Sequence, residues 1–159
     1  MMASMKRALL ALMLLWGLPA LADDKAGVAV TYEKGSRTFE ARLMNNAVDA
    51  NFGFNQKAHG GFLVDFEADR IPHHIQFSSG IGYEVFTQYK RFQPFAYALA
   101  GATSTTGSGS VFTSFNAQGM DFRLNNRYSL RYEHESDWSR VQQHQWDQRS
   151  TFLLVIKIK

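Results

Sequence analysis

The chain has no cysteine and no block of like charge, and each of these absences excludes a class of protein. Without cysteine there are no disulfides, so an exported chain of this size must be stabilised by its architecture alone. Because basic and acidic residues are scattered, a polybasic surface for phosphate groups is excluded, and we expect no nucleic-acid partner. After residue 22 no apolar run reaches the roughly 20 residues of a transmembrane helix.

The longest apolar stretch lies near the start of the sequence and has the features of a secretory signal peptide. Two basic residues precede an apolar segment from Ala8 to Leu18, and Ala20 and Ala22 are the small residues of a cleavage site. We predict that residues 1–22 are a signal peptide and that residues 23–159 form one exported domain. Without the signal peptide, 15 basic residues remain against 14 acidic ones, so this domain is almost neutral.

The rest of the sequence shows many short alternations of apolar and polar residues and no segment with helical periodicity. Such alternation predicts strands that have one apolar face. Eight segments show it, and they lie within residues 28–33, 39–44, 62–67, 75–85, 95–100, 120–124, 128–136 and 152–158. The segment from Asn45 to Gly60 is left open, because Phe52 and Phe54 fit either an extension of one strand or a short extra strand.

An even number of strands of about ten residues fits a barrel whose two termini lie at one end. We therefore predict an eight-stranded antiparallel transmembrane β-barrel with a filled polar interior, located in a Gram-negative outer membrane. A secreted β-sandwich is the alternative fold, because its composition and alternation are similar.

The connections between the predicted strands differ in length, and this difference orients the barrel. Asn125-Asn126 predicts a tight turn, whereas Gly101–Ser110 and Trp138–Asp147 predict longer polar loops. Since short turns lie on the periplasmic side of such barrels, the strand after Arg127 is expected to end at the outer surface.

His134 and Ser136 lie near that outer end, on one face of the segment 128–136 together with apolar and aromatic residues. Histidine is the usual base that activates a serine hydroxyl, because its pKa lies near neutrality. On a barrel strand this pair would face lipid. The triplet alone is a weak signal, and two polar residues at the rim of a strand are its simpler interpretation.

The sequence around this triplet resembles the PagL-like lipid A 3-O-deacylases, outer-membrane barrels that are also called acyloxyacyl hydrolases. The similar part begins at Gly119-Met120-Asp121-Phe122 and runs through His134 and Ser136, like the last-but-one strand of that family. Two further matches, Tyr83-Glu84 and Gln93-Pro94-Phe95 with the residues up to Gly101, extend the resemblance over roughly the last 90 residues.

The resemblance implies an esterase that removes a 3-O-linked acyl chain from lipid A of lipopolysaccharide. Ser136 would be the nucleophile, and His134 would be the general base and then the general acid. No cofactor and no metal are implied. The expected partners are lipid A and the outer membrane, and the sequence leaves a homodimer open.

Two positions depart from the family pattern. The acidic third member of the triad falls on Gln148, which can orient an imidazole and carries no charge, while adjacent Asp147 would serve only if a bulge turned it outward. After the serine, the family has an asparagine that helps to bind the oxyanion, whereas Asp137 as a carboxylate would repel it. A second hypothesis is therefore a non-catalytic structural or adhesive outer-membrane barrel. His73-His74 is interpreted as a turn pair, not as a metal site.

Overall fold

A computed structural model describes residues 24–71, 73–139 and 146–158, and for residues 139, 146 and 147 it describes the backbone alone. The predicted signal peptide, residues 1–22, lies outside the described residues. The described chain forms a closed barrel of nine strands. These are β1 (Lys25–Lys34), β2 (Arg37–Met44), β3 (Ala47–Lys57), β4 (Gly60–Ile71), β5 (His74–Phe86), β6 (Phe92–Thr105), β7 (Ser110–Arg123), β8 (Tyr128–Ser139) and β9 (Trp146–Ile158).

The predicted all-β barrel is confirmed, whereas the predicted number of eight strands is wrong. The additional strand is β3, which occupies the segment from Asn45 to Gly60 that the sequence left open. Its inward side chains include Asp49 and Asn51, and its outward side chains include Val48 and Ala50. Alanine and glycine at several of its positions weaken the contrast between the two faces, so the alternation is faint in the sequence.

Nine strands also change how the barrel closes. Consecutive strands pair antiparallel, and β1 pairs with β9 in parallel, from Lys25 opposite Thr151 to Tyr32 opposite Ile158. A barrel with an odd number of up-and-down strands needs one such parallel pair. The expectation that the first strand begins and the last strand ends at the same end of the barrel is therefore wrong. We call the end where β1 begins and β8 stops the site end.

The connections are shorter than the sequence predicts. Strand β6 continues to Thr105, so the predicted loop from Gly101 to Ser110 shrinks to residues 106–109. Strand β8 continues to Ser139, and residues 140–145 lie outside the described residues. The two-residue turn between β1 and β2 contains Gly35 at φ 61°, in the left-handed region that glycine occupies at little cost. The predicted contrast between short and long connections is thus small.

Charged side chains turn into the barrel and pair there in two groups. Near the site end, Arg149 and Lys25 bind the carboxylates of Glu67, Asp69, Glu135 and Asp137. Farther along the interior, Arg42 and Arg131 bind the carboxylates of Glu40, Asp49, Asp121 and Glu133. Buried charges are costly unless they are paired, so these contacts allow a polar interior. Two apolar clusters, which include Leu153 and Phe115, pack beside them.

The outward face is largely apolar. Exposed large hydrophobic side chains occur on all nine strands, and Leu43 and Ile81 expose 67% and 61% of their surface. Apolar surface on this scale is unusual for a soluble monomer and marks a surface that is covered by an apolar partner or phase. No helix in the described ranges is long and apolar enough to cross a membrane.

The close approach of β5 and β6 provides a test of the closed barrel. A Cβ atom on Gly101 would lie 1.8 Å from the backbone oxygen of Ser79, so only glycine allows this strand contact. We expect Gly101→Ala to lower the free energy of unfolding by about 1–3 kcal/mol or to prevent refolding. Urea unfolding followed by tryptophan fluorescence measures the effect.

The matched control for this test is Gly109→Ala. A Cβ atom at this position meets nothing within 4 Å, so the unfolding midpoint is expected to stay unchanged. Equal midpoints for the two variants would contradict the described pairing of β5 with β6.

Candidate functional site

A polar patch interrupts the apolar exterior on β7, β8 and β9, towards the site end. Its residues alternate with buried, inward-facing ones such as Phe115, Glu133 and Thr151. The patch, as we use the term, consists of Ser114, Asn116 and Gln118 on β7, His134 and Ser136 on β8, and Gln148 and Ser150 on β9.

Strand pairing arranges six of the seven patch residues in two rows, and the seventh, Ser114, is opposite Trp138. In one row His134 is opposite Gln118 on β7 and opposite Ser150 on β9. In the next row Ser136 is opposite Asn116 and Gln148. Directly opposite residues have Cβ atoms about 4.5–5.5 Å apart, so each patch side chain can touch its neighbours. A histidine and a serine thus share one face with amides and a second hydroxyl around them.

The imidazole of His134 is half-buried and lies next to Ser150. Its Nδ1 atom is 3.5 Å from Ser150 Oγ, which is the long limit of a hydrogen bond. Between His134 and Ser136, both of which are described, the structure contains no hydrogen bond. Catalytic hydrogen bonds are often long without substrate and shorten when it binds, so the missing hydrogen bond does not by itself exclude this pair.

Gln148, the predicted third member of the triad, is exposed and lies opposite Ser136, which makes it diagonal to His134. The β8–β9 register runs without a bulge from Tyr128 to Trp138. Within it, Asp147 is paired with Asp137, which belongs to the inward series. The bulge that would turn Asp147 outward is therefore absent from this pair of strands.

Asp137, the predicted oxyanion position, lies on the opposite face of β8 from Ser136. Its carboxylate is buried, and it accepts a hydrogen bond from Arg149 in the interior. It therefore brings neither a donor nor a negative charge to the patch. The repulsion of an oxyanion that the sequence suggested does not arise from this position.

Sequence reasoning missed Asn116, Gln118 and Ser150. A signal for the first two existed, because polar residues recur at every second position of β7 on the face that carries Phe112 and Met120. The same polar residues are one reason why most of this strand was not predicted. Each face of β7 mixes apolar and polar side chains, such as Phe112 outside and Thr113 inside, so most of the strand shows no regular alternation and only its last part was predicted.

The adjacent histidines at the site end fit a turn. His73 has φ 64° in the connection between β4 and β5, and His74 begins β5. Within the described ranges, no three or more His, Cys, Asp or Glu side chains are grouped so that they could hold a metal ion.

Comparisons with known proteins add no relative. No protein-family model matches the sequence, and neither a curated protein nor a solved structure matches the chain. The functional argument therefore depends on the geometry of the patch and on the residues that carry it.

The interior position of Asp137 leads to a prediction. Asp137→Asn introduces the residue type that the resembled family has at this position. It weakens a charged contact with Arg149, whose guanidinium still binds Asp69 at 2.7 Å and Glu135 at 3.0 Å. A hydrogen bond to a charged group contributes about 1.5–3 kcal/mol, so the free energy of unfolding should fall by up to that amount. Urea unfolding measures this loss.

Ester hydrolysis is the second measurement on Asp137→Asn. The activity of the folded variant should not rise, because the side chain faces the interior. Glu33→Gln, an exposed carboxylate at the other end of the barrel, serves as the control and should leave both quantities unchanged. A clear gain of activity in Asp137→Asn would show that this side chain reaches the patch.

Proposed function

We propose that this chain is an outer-membrane esterase that removes a 3-O-linked acyl chain from lipid A, with Ser136 as nucleophile and His134 as base. The observation that carries the proposal is the patch itself. A histidine and a serine occupy one face of one strand, within an exterior that is otherwise largely apolar. The resemblance of the surrounding residues to lipid A 3-O-deacylases specifies the substrate.

The apolar exterior supports the membrane location. Exposed hydrophobic side chains on every strand suit contact with hydrocarbon. A closed barrel pairs the backbone of each strand with two neighbours, and this closure is what a β-structure needs inside a bilayer. The signal peptide predicted from residues 1–22 is consistent with export to that membrane.

The position of the patch supports a lipid ester as substrate. His134 and Ser136 lie within the last six residues of β8, close to the site end. In the proposed orientation this end lies in the outer leaflet. Acyl chains of a lipid could then run along the apolar exterior, while the ester bond near the sugar reaches the hydroxyl of Ser136.

The chemistry follows the usual course of a serine esterase. His134 accepts the hydroxyl proton while Ser136 Oγ attacks the ester carbonyl carbon, and collapse of the tetrahedral intermediate releases the sugar oxygen, which takes that proton. Water, deprotonated by His134, then attacks the acyl-serine, the fatty acid is released, and His134 returns the proton to Ser136 Oγ. Asn116, opposite Ser136, carries a side-chain donor for the oxyanion, and its Nδ2 lies 3.4 Å from Ser114 Oγ.

A specific observation also favours the second hypothesis, a non-catalytic barrel. Within the described residues no carboxylate forms an ion pair or a hydrogen bond with His134, whereas an anionic partner normally stabilises the imidazolium. Mass spectra of lipid A from cells with and without the protein distinguish the two hypotheses, because only the esterase removes one acyl chain from lipid A.

Ser136→Ala tests the catalytic proposal. We expect it to abolish the release of hydroxy fatty acid from purified lipopolysaccharide, since the nucleophilic oxygen is lost. Expression in Gram-negative cells, with mass spectrometry of lipid A, should show the same loss, and both proteins should be recovered in the outer-membrane fraction.

Ser79→Ala is the matched control, because Ser79 also lies on the outward face but on β5, away from the patch. Its release of fatty acid should equal that of the unmodified protein. Undiminished release by Ser136→Ala would exclude this serine as the nucleophile.

A further inference from the structure

Asp24 precedes β1 and lies beside the polar patch. In the parallel pair of β1 and β9, Lys25 is opposite Thr151, so the preceding residue comes alongside Ser150. The contact is direct, because Asp24 Oδ1 accepts a hydrogen bond from the backbone N–H of Ser150 at 3.1 Å. A carboxylate is thus fixed at the β9 residue that also contacts His134.

Two contacts connect the carboxylate to the imidazole through one residue. The backbone of Ser150 binds Asp24, and its Oγ lies 3.5 Å from Nδ1 of His134. Lys25 does not neutralise this carboxylate, since its ammonium group turns into the interior and binds Glu67 there. Within the described residues, Asp24 forms no ion pair.

We propose that Asp24 is the acidic positioning residue of the site and acts on His134 through Ser150. This inference rests on the proposed esterase function. His134 donates Nδ1–H to Ser150 Oγ, which leaves Nε2 to accept the proton of Ser136. The carboxylate stabilises the positive charge that the imidazole then acquires, the role that the anionic member of a serine–histidine triad fulfils.

The other candidates for this role fit less well. Gln148 carries no charge and is opposite Ser136, not His134. Asp147 is paired by backbone register with Asp137 and not with His134. Asp24 combines a negative charge with a direct hydrogen bond to the residue that faces the imidazole.

Asp24→Asn is the decisive variant, because it keeps a side-chain oxygen for the Ser150 N–H and removes the charge. We expect kcat for release of fatty acid from purified lipopolysaccharide to fall about tenfold to a hundredfold, with KM unchanged. Loss of a directly bound triad carboxylate costs about ten-thousandfold. The effect here should be smaller, because Asp24 binds the backbone of Ser150 and not the imidazole itself. Asp24→Glu, which retains the charge, should keep most of the activity.

The matched control is Glu33→Gln, which removes an exposed charge from β1, the strand that Asp24 precedes, at the opposite end of the barrel. Its kcat should equal that of the unmodified protein. A rescue variant adds a readout that a purely structural role would not change. Gln148→Glu places a carboxylate diagonal to His134, within reach of a long side chain, so it should restore part of kcat in Asp24→Asn.

The outcomes separate this inference from the proposed function. Ser136→Ala without activity and Asp24→Asn with full kcat would overturn the role of Asp24 and leave the esterase intact. Undiminished activity in Ser136→Ala would overturn Ser136 as the nucleophile, and with it the proposed serine mechanism. If Asp24→Asn lost stability and activity together and Gln148→Glu restored neither, Asp24 would be a structural residue, and the inference would be wrong.

Discussion

The parallel pairing of β1 with β9 is the contact on which the rest of the structure depends. It joins the first and last strands over eight residues on each side and so leaves no unpaired strand edge. The register of this pairing also determines which side chains of β1 face the interior and which face outward. A slip by one residue would exchange the two faces, turning Lys25 out of the interior and Asp24 into it. One backbone alignment therefore sets both the interior charge pairs and the composition of the patch.

The interior ion pairs hold the strands that carry the patch. Arg149 binds Glu135 and Asp137 across the β8–β9 pair, and the outward neighbours of these residues are the patch residues. Buried ion pairs contribute little net stability, because desolvation offsets their attraction, whereas breaking one leaves an unpaired charge and is costly. Their effect here is to penalise any other alignment of β8 with β9. The polar interior thus fixes the position of His134 relative to Ser150.

Sequence reasoning succeeded where the alternation of faces is strong. The strands around Phe39, Phe77 and Ile156 were located because large apolar side chains recur there at every second position. It failed for β3, where alanine and glycine dilute the contrast, and for most of β7, where each face mixes apolar and polar side chains. Because one strand was not counted, the predicted barrel had an even number of strands. The barrel has nine, and it therefore closes through a parallel pair of β1 and β9.

The residues of the candidate site also fall into those that local alternation could predict and those that it could not. His134 and Ser136 lie on one strand, so period-two alternation was enough to place them on one face. Gln148 could be assigned only by resemblance. The contact of Asp24 with Ser150 spans 126 positions along the chain and depends on the strand count and on the closure register, neither of which local pattern contains. No motif search limited to the last 90 residues could have included Asp24.

The location of the patch on strands also distinguishes the two functional hypotheses. An adhesive barrel presents its binding surface in loops, which vary freely on a rigid scaffold. The described connections of this barrel are short, with four residues between β6 and β7 and two between β2 and β3.

The polar residues lie instead on three adjacent strands, whose backbone hydrogen bonds hold them rigidly, and such elements position reacting groups better than loops do. Polar groups that face an apolar phase are costly when they have no partner, so a patch of this size is best explained by a substrate that is polar at this point and apolar beyond it. A lipid ester has that structure.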